Sequence, residues 1–186
     1  YVRTLNSMPA PYDLHVAGDE RALDADAIAG LELFEGKAGC ADCRSGELLT
    51  DEGFYNTGVG TDPSLFAEPE RHLTFRRFFR ILGTPNYRAL SEDVGHYALT
   101  LNEEDWGAFK TTSLREVGRT APYMHDGSMA TLDDVVAFYN EGGGEGQTAG
   151  LEALDLTEDE VGQLVAFLES LSSEPIPVEA PELPGY

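Results

Sequence analysis

Residues 30–44 read GLELFEGKAGCADCR, and this stretch decides the fold. Apolar side chains at helical spacing share one face of the segment that enters it: Ile28, Leu31 and Phe34. Asp24 or Asp26 can cap the helix at its start, and the glycines near its end favour termination. The pattern predicts a helix that delivers the chain's two cysteines, Cys40 and Cys43, at its end.

The two cysteines have the spacing Cys-x-x-Cys, which has several ordinary uses in proteins. Attachment of haem c requires a histidine directly after the second cysteine, because that side chain binds the iron. The residue here is Arg44, and a protonated guanidinium has no free lone pair for a metal. A zinc site needs two more ligands, and the four histidines lack the paired spacing of such a site. Haem attachment, a local disulfide or free-thiol pair, and a metal site all stay open at this point.

The charge of the chain limits its partners. Its 34 Asp and Glu residues against 12 Lys and Arg give a formal net charge of −22. This surplus argues against nucleic acid and anionic membranes and favours a cationic partner or a salty habitat. No apolar run approaches the roughly 20 residues of a membrane-spanning helix, so we expect no membrane insertion. A sequence that starts at Tyr1, without Met or a charged-then-apolar leader, is typical of a processed product or a fragment.

Three further segments carry helical patterns. Residues 70–82 interleave apolar side chains with arginines, which indicates an amphipathic helix. Thr131 with Asp134, and Thr157 with Glu160, have the spacing of capping boxes that open two more helices. No alternating strand pattern is visible, so the predicted fold class is all-α.

The predicted domain organisation follows from these helices. Residues 1–24 form an N-terminal extension or inter-domain segment, 25–172 one helical domain, and 173–186 a proline-rich tail that lies extended or is partly disordered. Residues 45–69 are rich in Gly, Asp, Ser and Thr with scattered aromatics. They predict an ordered loop wrapped over another part of the molecule, and a flat cofactor is one candidate.

Several segments, in order along the chain, resemble the C-terminal haem domain of bacterial di-haem cytochrome c peroxidases and MauG-like enzymes. They are residues 30–43 (GLELFEGKAGCADC), 45–60 (SGELLTDEGFYNTGVG), 93–96 (DVGH), 107–125 (GAFKTTSLREVGRTAPYMH), 126–128 (DGS) and 131–144 (TLDDVVAFYNEGGG). The stretch TAPYMHDG is the most specific. The resemblance spans nearly the whole chain and implies a cytochrome-c-like helical domain with long ordered loops around a haem site.

The resemblance also implies roles for particular residues. Cys40 and Cys43 would bind haem covalently, and Arg44 stands where the family keeps its proximal histidine. Tyr139 falls where the peroxidases place a methionine ligand and MauG-like members a tyrosine, which predicts an axial iron ligand. The alternative for Tyr139 is a packed helix residue with its hydroxyl at the edge. His125 falls in the haem surroundings, or is a hydrogen-bonded core residue.

Two further sets of ligands follow from the resemblance. A histidine elsewhere can bind the iron in place of the one missing beside the cysteines, and the candidates are His96, His72 and His125. The family also holds calcium between its two haem domains, and the backbone carbonyls of Thr120 and Pro122 correspond to two of its ligands.

The function implied is that of a periplasmic haem-c electron-transfer domain in a di-haem peroxidase or MauG-like oxidoreductase. It would pass electrons between a small redox protein, or a protein substrate, and a peroxidatic haem in an N-terminal haem domain or partner chain. That missing part is expected to hold a second Cys-x-x-Cys-His, so the chain alone would not be a complete enzyme. The alternative is a haem-free structural or docking subunit that retains the fold, which Arg44 favours.

Overall fold

A computed structural model describes residues 8–61, 67 and 69–175 of the chain. Helices dominate this part, as the sequence predicts, and none of them is both long and apolar enough to span a membrane. The α-helices are α1 (Pro11–Val16), α2 (Ala25–Glu35), α3 (Pro69–Leu82), α4 (Tyr97–Thr100), α5 (Leu132–Asn140) and α6 (Glu158–Ser170). Short 3-10 turns lie at Cys40–Asp42, Tyr87–Ala89, Glu103–Asp105 and Val117–Arg119. The predicted tail lies, from residue 176 onward, outside the described residues.

Helices α2 and α6 form the centre of the main core. Gly30 allows their close approach, because a Cβ at this position would lie 1.9 Å from the backbone oxygen of Gln163. Phe34 of α2 and Phe167 of α6 pack with ring centroids 5.0 Å apart. Tyr12 of α1 meets the ring of Phe167 edge-on at 5.6 Å. The helix that leads to the cysteines is therefore fixed mainly by its packing against α6.

The helix starts follow the predicted capping residues. Asp24 accepts a hydrogen bond from the backbone N–H of Ala27 and so caps α2 in preference to Asp26. Thr131 and Thr157 each open a helix with a capping box, as predicted for α5 and α6. Each hydroxyl accepts a backbone N–H that would otherwise lack a partner at the helix start.

A second, smaller cluster lies between α3 and α4. Its buried residues are Phe79, Leu90, Val94, Tyr97 and Ala98. The predicted helix over 70–82 is confirmed, and its phenylalanines at 75 and 79 contact each other at 4.4 Å between ring centroids on the cluster side. Large apolar side chains nearby remain exposed: Leu73, Phe78, Ile81, Leu99 and Leu101.

The chain also forms a small antiparallel sheet that the sequence does not predict. Strand β1 (Phe54–Tyr55) pairs with β2 (Phe109–Lys110), with Phe54 opposite Lys110 and Tyr55 opposite Phe109. Strands of two residues are too short to show a recognisable alternation of apolar and polar side chains. This sheet ties the loop after the cysteines to the segment that leads towards α5.

Candidate functional site

Cys40 and Cys43 lie on the turn that follows α2. Gly39 has a φ of +60°, a left-handed conformation that glycine adopts without steric cost. It directs the chain into the 3-10 turn Cys40–Asp42, which Cys43 closes. Both thiols are free and half-buried, and Cys40 packs against the main core. The packing of α2 on α6 thus positions the cysteine pair.

The surroundings keep Cys40 protonated. Burial raises the pKa of its thiol to about 11, although the positive charge of Arg44 acts in the opposite direction. A dithiol redox centre depends on a thiolate with a lowered pKa, so this environment does not suit one. Within the described ranges, no three His, Cys, Asp or Glu side chains are grouped as a metal site requires. These two observations weigh against an activated thiol at Cys40 and against a zinc site in the described part of the chain.

Arg44 connects the cysteine turn with two distant parts of the chain. Its Nη1 donates a hydrogen bond to the backbone carbonyl of Thr112, just after β2. Its guanidinium also lies beside the hydroxyl of Tyr139. Nothing in the spacing of the sequence indicates either contact. The arginine is therefore a structural member of the site even though it cannot ligate iron.

Tyr139 lies in the last turn of α5, and its hydroxyl lies beside the guanidinium of Arg44. Burial raises the pKa of its hydroxyl, while the charge of Arg44 and hydrogen bonding with it oppose that shift. Cys40 and Cys43 are close enough to influence the same hydroxyl. The structure therefore brings together the two cysteines, the arginine and the tyrosine that the resemblance selects.

A second tyrosine near the cysteines was missed by the sequence analysis. The Tyr55 hydroxyl donates a hydrogen bond of 2.5 Å to the carboxylate of Asp51. This bond raises the pKa of Tyr55 and lowers that of Asp51. Cys43 lies within hydrogen-bonding reach of the same hydroxyl. The only signal for this contact was an aromatic residue in a loop of small polar residues.

Each strand of the small sheet holds one histidine by ring stacking. Phe54 stacks on His96 with ring centroids 3.7 Å apart, and Phe109 stacks on His125 at 3.5 Å. Because Tyr55 pairs with Phe109, their side chains share one face of the sheet, and Phe54 points to the other. His125 therefore lies on the face that carries Tyr55, and His96 on the opposite face.

The two histidines also differ in their polar contacts. His96 Nδ1 lies 3.6 Å from a carboxylate oxygen of Asp105, has no hydrogen-bond partner and is buried. Burial lowers the pKa of His125, although the charges of Asp126 and Asp93 act in the opposite direction. His72, the other candidate, belongs to α3 and so to the second cluster's helix. Of the three, His125 lies on the sheet face associated with the cysteine turn.

Thr120 and Pro122, the candidate calcium ligands, lie on the surface. The hydroxyl of Thr120 donates to the carbonyl of Val117 at 3.2 Å. Calcium takes six to eight oxygen ligands, and no group of three acidic side chains suited to a metal occurs in the described part of the chain. Two carbonyls from this chain therefore make at most a partial site.

The residues present fit haem c in part. Two half-buried free thiols on one turn suit two thioether bonds, and the half-buried Tyr139 hydroxyl beside them suits an oxygen ligand to iron. The side chain that follows the second cysteine does not fit, because Arg44 offers no lone pair. The site thus offers two candidate anchors and one candidate iron ligand, and it has no histidine directly after the cysteines.

Comparison with known proteins gives a consistent family. No protein-family model matches the chain. A cytochrome c peroxidase of Denitromonas iodatirespirans, IdrP2, is 47% identical over 186 residues, which are all of this chain and 50% of that protein. The methylamine utilization protein MauG of Methylorubrum extorquens is 36% identical over 188 residues, which cover 99% of this chain and 45% of that protein.

The solved structures agree with the sequence comparison. A MauG-like protein associated with microbial copper homeostasis has a TM-score of 0.69 and 28% identity to this chain, and the match covers 92% of this chain and 54% of that one. The cytochrome-c-like helical fold expected from the resemblance is thereby confirmed. The chain spans about half the length of the curated relatives it matches. Over its whole length it is similar to bacterial cytochrome c peroxidases and MauG proteins.

Proposed function

We propose that this chain is the haem-c electron-transfer domain of a di-haem peroxidase or MauG-like oxidoreductase. It passes electrons between a small redox protein, or a protein substrate, and a peroxidatic haem in a domain that precedes it. The observation that carries this proposal is the meeting of Cys40, Cys43 and Tyr139 in one half-buried place. The 47% identity with a cytochrome c peroxidase supports the same function.

The residues of the site have distinct roles in this proposal. Cys40 and Cys43 anchor the haem, which when bound supplies one-electron oxidation and reduction. Tyr139 offers an anionic oxygen, a ligand type that favours ferric iron over ferrous iron. Arg44 assists the phenolate, because its charge opposes the burial that keeps the tyrosine hydroxyl protonated. Arg44 thus favours deprotonation of the Tyr139 ligand but does not itself bind the iron.

His125 is the better candidate for the second axial ligand. It lies on the same sheet face as Tyr55, whose hydroxyl is within reach of Cys43, whereas His96 lies on the other face. Burial lowers the pKa of His125 and so favours the neutral imidazole, the form that binds iron.

The wider arrangement also belongs to the proposal. The formal charge of −22 suits a cationic redox donor. The partner domain holds the second haem, and the carbonyls of Thr120 and Pro122 contribute two ligands to a calcium ion shared with it. The proposed location is the periplasm, which the same family resemblance implies.

Intact mass and the absorption spectrum in reduced alkaline pyridine test the proposal. After expression with haem-c maturation, we expect one haem per cysteine pair and a c-type spectrum. Cys40→Ala with Cys43→Ala should remove both signals. Tyr139→Phe should change the ferric spectrum at unchanged haem content, and Tyr87→Phe, a half-buried tyrosine of the second cluster, serves as its control. An unmodified mass under these conditions would contradict the haem function.

A haem-free structural or docking subunit is the second candidate function. It is favoured by Arg44, which donates to the carbonyl of Thr112, lies beside the Tyr139 hydroxyl and offers no lone pair to iron. The variant Arg44→His separates the two candidates. If the wild-type chain carries haem, the variant should keep it and show a changed spectrum, because the new histidine competes with His125 for the iron. If only the variant acquires haem, the wild-type chain is the haem-free subunit.

A further inference from the structure

Tyr55 and Asp51 form a hydrogen-bonded pair on the loop that follows the cysteine turn. The Tyr55 hydroxyl donates to Asp51 Oδ2 at 2.5 Å, a distance typical of a hydroxyl that meets an ionised carboxylate. Tyr55 is half-buried, and Asp51 is exposed. In the ranges that the structure describes, Asp51 belongs to no ion pair. The phenol therefore lies against a base whose charge no cation neutralises.

The backbone holds this pair beside the second cysteine. The N–H of Asp51 donates to the carbonyl of Cys43 at 3.0 Å. Asp51 Oδ1 accepts the backbone N–H of Gly53 at 2.8 Å, which leaves Oδ2 for the Tyr55 hydroxyl. Cys43 also lies within hydrogen-bonding reach of that hydroxyl. The pair is thus fixed at the place where the chain would hold its haem.

Gly53 makes room for the ring of Tyr55. A Cβ at this position would lie 2.7 Å from ring carbon Cε2 and 2.9 Å from the hydroxyl oxygen. A larger residue would therefore push the phenol away from the carboxylate. The N–H of Thr111, just after β2, donates to the carbonyl of Gly53 at 2.8 Å and fixes the turn. The contact between Tyr55 and Asp51 depends on the absence of a side chain at residue 53.

Tyr139, another tyrosine beside the cysteines, has the opposite surroundings. The guanidinium of Arg44 lies beside its hydroxyl. A positive charge opposes the removal of an electron from the ring, and an arginine cannot accept a proton. The carboxylate beside Tyr55 does the reverse, because its negative charge stabilises the loss of an electron and its oxygen accepts a proton. Of these two tyrosines, Tyr55 is the one with a partner suited to oxidation.

We propose that Tyr55 is a redox-active residue that gives one electron to an oxidised haem at the cysteine turn and its hydroxyl proton to Asp51. The phenol O–H bond breaks, an O–H bond forms on the carboxylate, and a neutral tyrosyl radical remains. The oxidant is an iron porphyrin oxidised above the ferric state at the expense of peroxide, so this inference rests on the proposed function. A one-electron reductant at the surface then returns the electron, and Asp51 returns the proton.

The position of the pair suits both halves of this cycle. A phenol that loses an electron becomes a very strong acid, so its proton has to leave. A base already at hydrogen-bond distance takes that proton directly. Asp51 is exposed, and the neighbouring Phe54 is 41% exposed, so an external reductant reaches this side without crossing the core. Tyr55 thus connects the cysteine turn with the surface.

An oxidant placed at the cysteine turn tests this role without haem. In a Cys40→Ala chain, Cys43 is the single thiol and takes a thiol-reactive ruthenium polypyridine complex. A light flash with an irreversible quencher converts this label into a one-electron oxidant. We expect a tyrosyl radical, detected by its absorption and by electron paramagnetic resonance. Tyr55→Phe should lower the radical yield about tenfold or more, because the phenol with the positioned base is lost.

Tyr87→Phe is the matched control for that change. Tyr87 is also half-buried, but it packs against the second cluster, and the guanidinium of Arg88 lies 5.2 Å from its ring centroid. The radical yield should stay that of the labelled parent chain. Unchanged thermal unfolding of each labelled variant shows that it remains folded. A yield that Tyr55→Phe leaves unchanged, or that Tyr139→Phe removes instead, would overturn the proposal.

The proton acceptor is tested at Asp51. Asp51→Asn keeps an oxygen that accepts the hydrogen bond but is a far weaker base, so radical formation should slow about tenfold or more. Glu52→Gln removes the same charge from the next residue, which is also exposed, and should leave the rate unchanged. Gly53→Ala pushes the ring from the carboxylate and should slow the reaction as Asp51→Asn does. Equal rates for Asp51→Asn and Glu52→Gln would contradict proton transfer to Asp51.

These rates separate the role of Tyr55 from the haem function. They are measured without haem, so a chain that fails to attach haem contradicts the proposed function and still gives the rates. A chain with a c-type spectrum whose radical yield ignores Tyr55→Phe and Asp51→Asn keeps its haem function, and the role of Tyr55 is then wrong. The comparison is repeated with the ruthenium complex free in solution, so that the result does not depend on the label.

Discussion

The two hydrophobic clusters of this protein differ in how completely the chain covers them. The main core draws ten buried residues from several elements, including α2, α5 and α6, with Phe167 and Leu171 fully enclosed. The second cluster buries five residues and leaves large apolar side chains of α3 and α4 exposed beside it. The cysteine turn packs against the main core, which is well covered by other parts of this chain. The second cluster instead has exposed apolar side chains beside it.

The largest loss of stability is expected from a substitution that separates α2 from α6 in the main core. Gly30→Ala places a methyl group 1.9 Å from the backbone oxygen of Gln163, which no rotamer change can relieve. We expect the free energy of unfolding to fall by about 3 kcal/mol or more, since backbone must move. The measurement is urea unfolding followed by circular dichroism.

Gly162→Ala is the matched control for that change. This glycine lies in α6, and a Cβ there would meet no atom within 4 Å. Alanine in a helix interior is favoured over glycine by about 0.5–1 kcal/mol, so this variant should be slightly more stable than the wild type. Equal destabilisation by both substitutions would show that the close approach at Gly30 is not the cause.

The second cluster should be able to unfold locally while the main core stays folded. Phe79→Ala removes a side chain that is 3% exposed and contacts Phe75 and Phe78. We expect a loss of about 3 kcal/mol in the stability of this cluster. Amide hydrogen exchange should rise in α4 while α2 and α6 keep their protection. An equal rise in both regions would mean that the two clusters unfold as one unit.

A smaller effect tests how α6 begins. Thr157→Ala removes the hydroxyl that accepts the backbone N–H of Glu160, and the expected loss of stability is about 1 kcal/mol. Thr148→Ala, at an exposed threonine outside the helices, should change stability by less than about 0.5 kcal/mol. Thermal unfolding of both variants measures the difference. Similar midpoints would show that the cap contributes little.

The sequence predicts those parts of the molecule that are encoded locally. The starts of α5 and α6 follow from threonines three residues before an acidic residue, and α3 follows from its apolar spacing. The pairing of β1 with β2 could not be predicted, because it joins segments more than 50 residues apart through only two residues each. Local patterns carry no information about such contacts.

Some features of the candidate site were likewise predictable from the sequence, and others needed the structure. The spacing of Cys40 and Cys43 is local and visible, but their approach to Tyr139 was expected only from the family resemblance. The contact of Arg44 with Thr112 and the separation of His96 and His125 to opposite sheet faces needed the structure. They depend on strand register and on backbone carbonyls, which residue identities do not specify.

The smallest predicted effect is a pH dependence at the contact between the cysteine turn and α6. Lys37, just before that turn, donates to the Glu160 carboxylate at 2.8 and 2.9 Å, and this bond holds the pKa of Glu160 below its ordinary value. A carboxyl whose pKa is lower in the folded state stabilises the fold above its unfolded-state pKa, and that contribution is lost as the pH falls through the folded-state pKa. Glu160→Gln should therefore be less stable than the wild type at neutral pH and equal to it in acid.

Glu158→Gln removes an equivalent charge from the same first turn and controls for the helix dipole. Chemical unfolding at a series of pH values should show a larger difference from the wild type at neutral pH for Glu160→Gln than for Glu158→Gln, and this difference should vanish in acid. A constant difference down to strong acid would show that Lys37 does not lower the pKa of the Glu160 carboxyl.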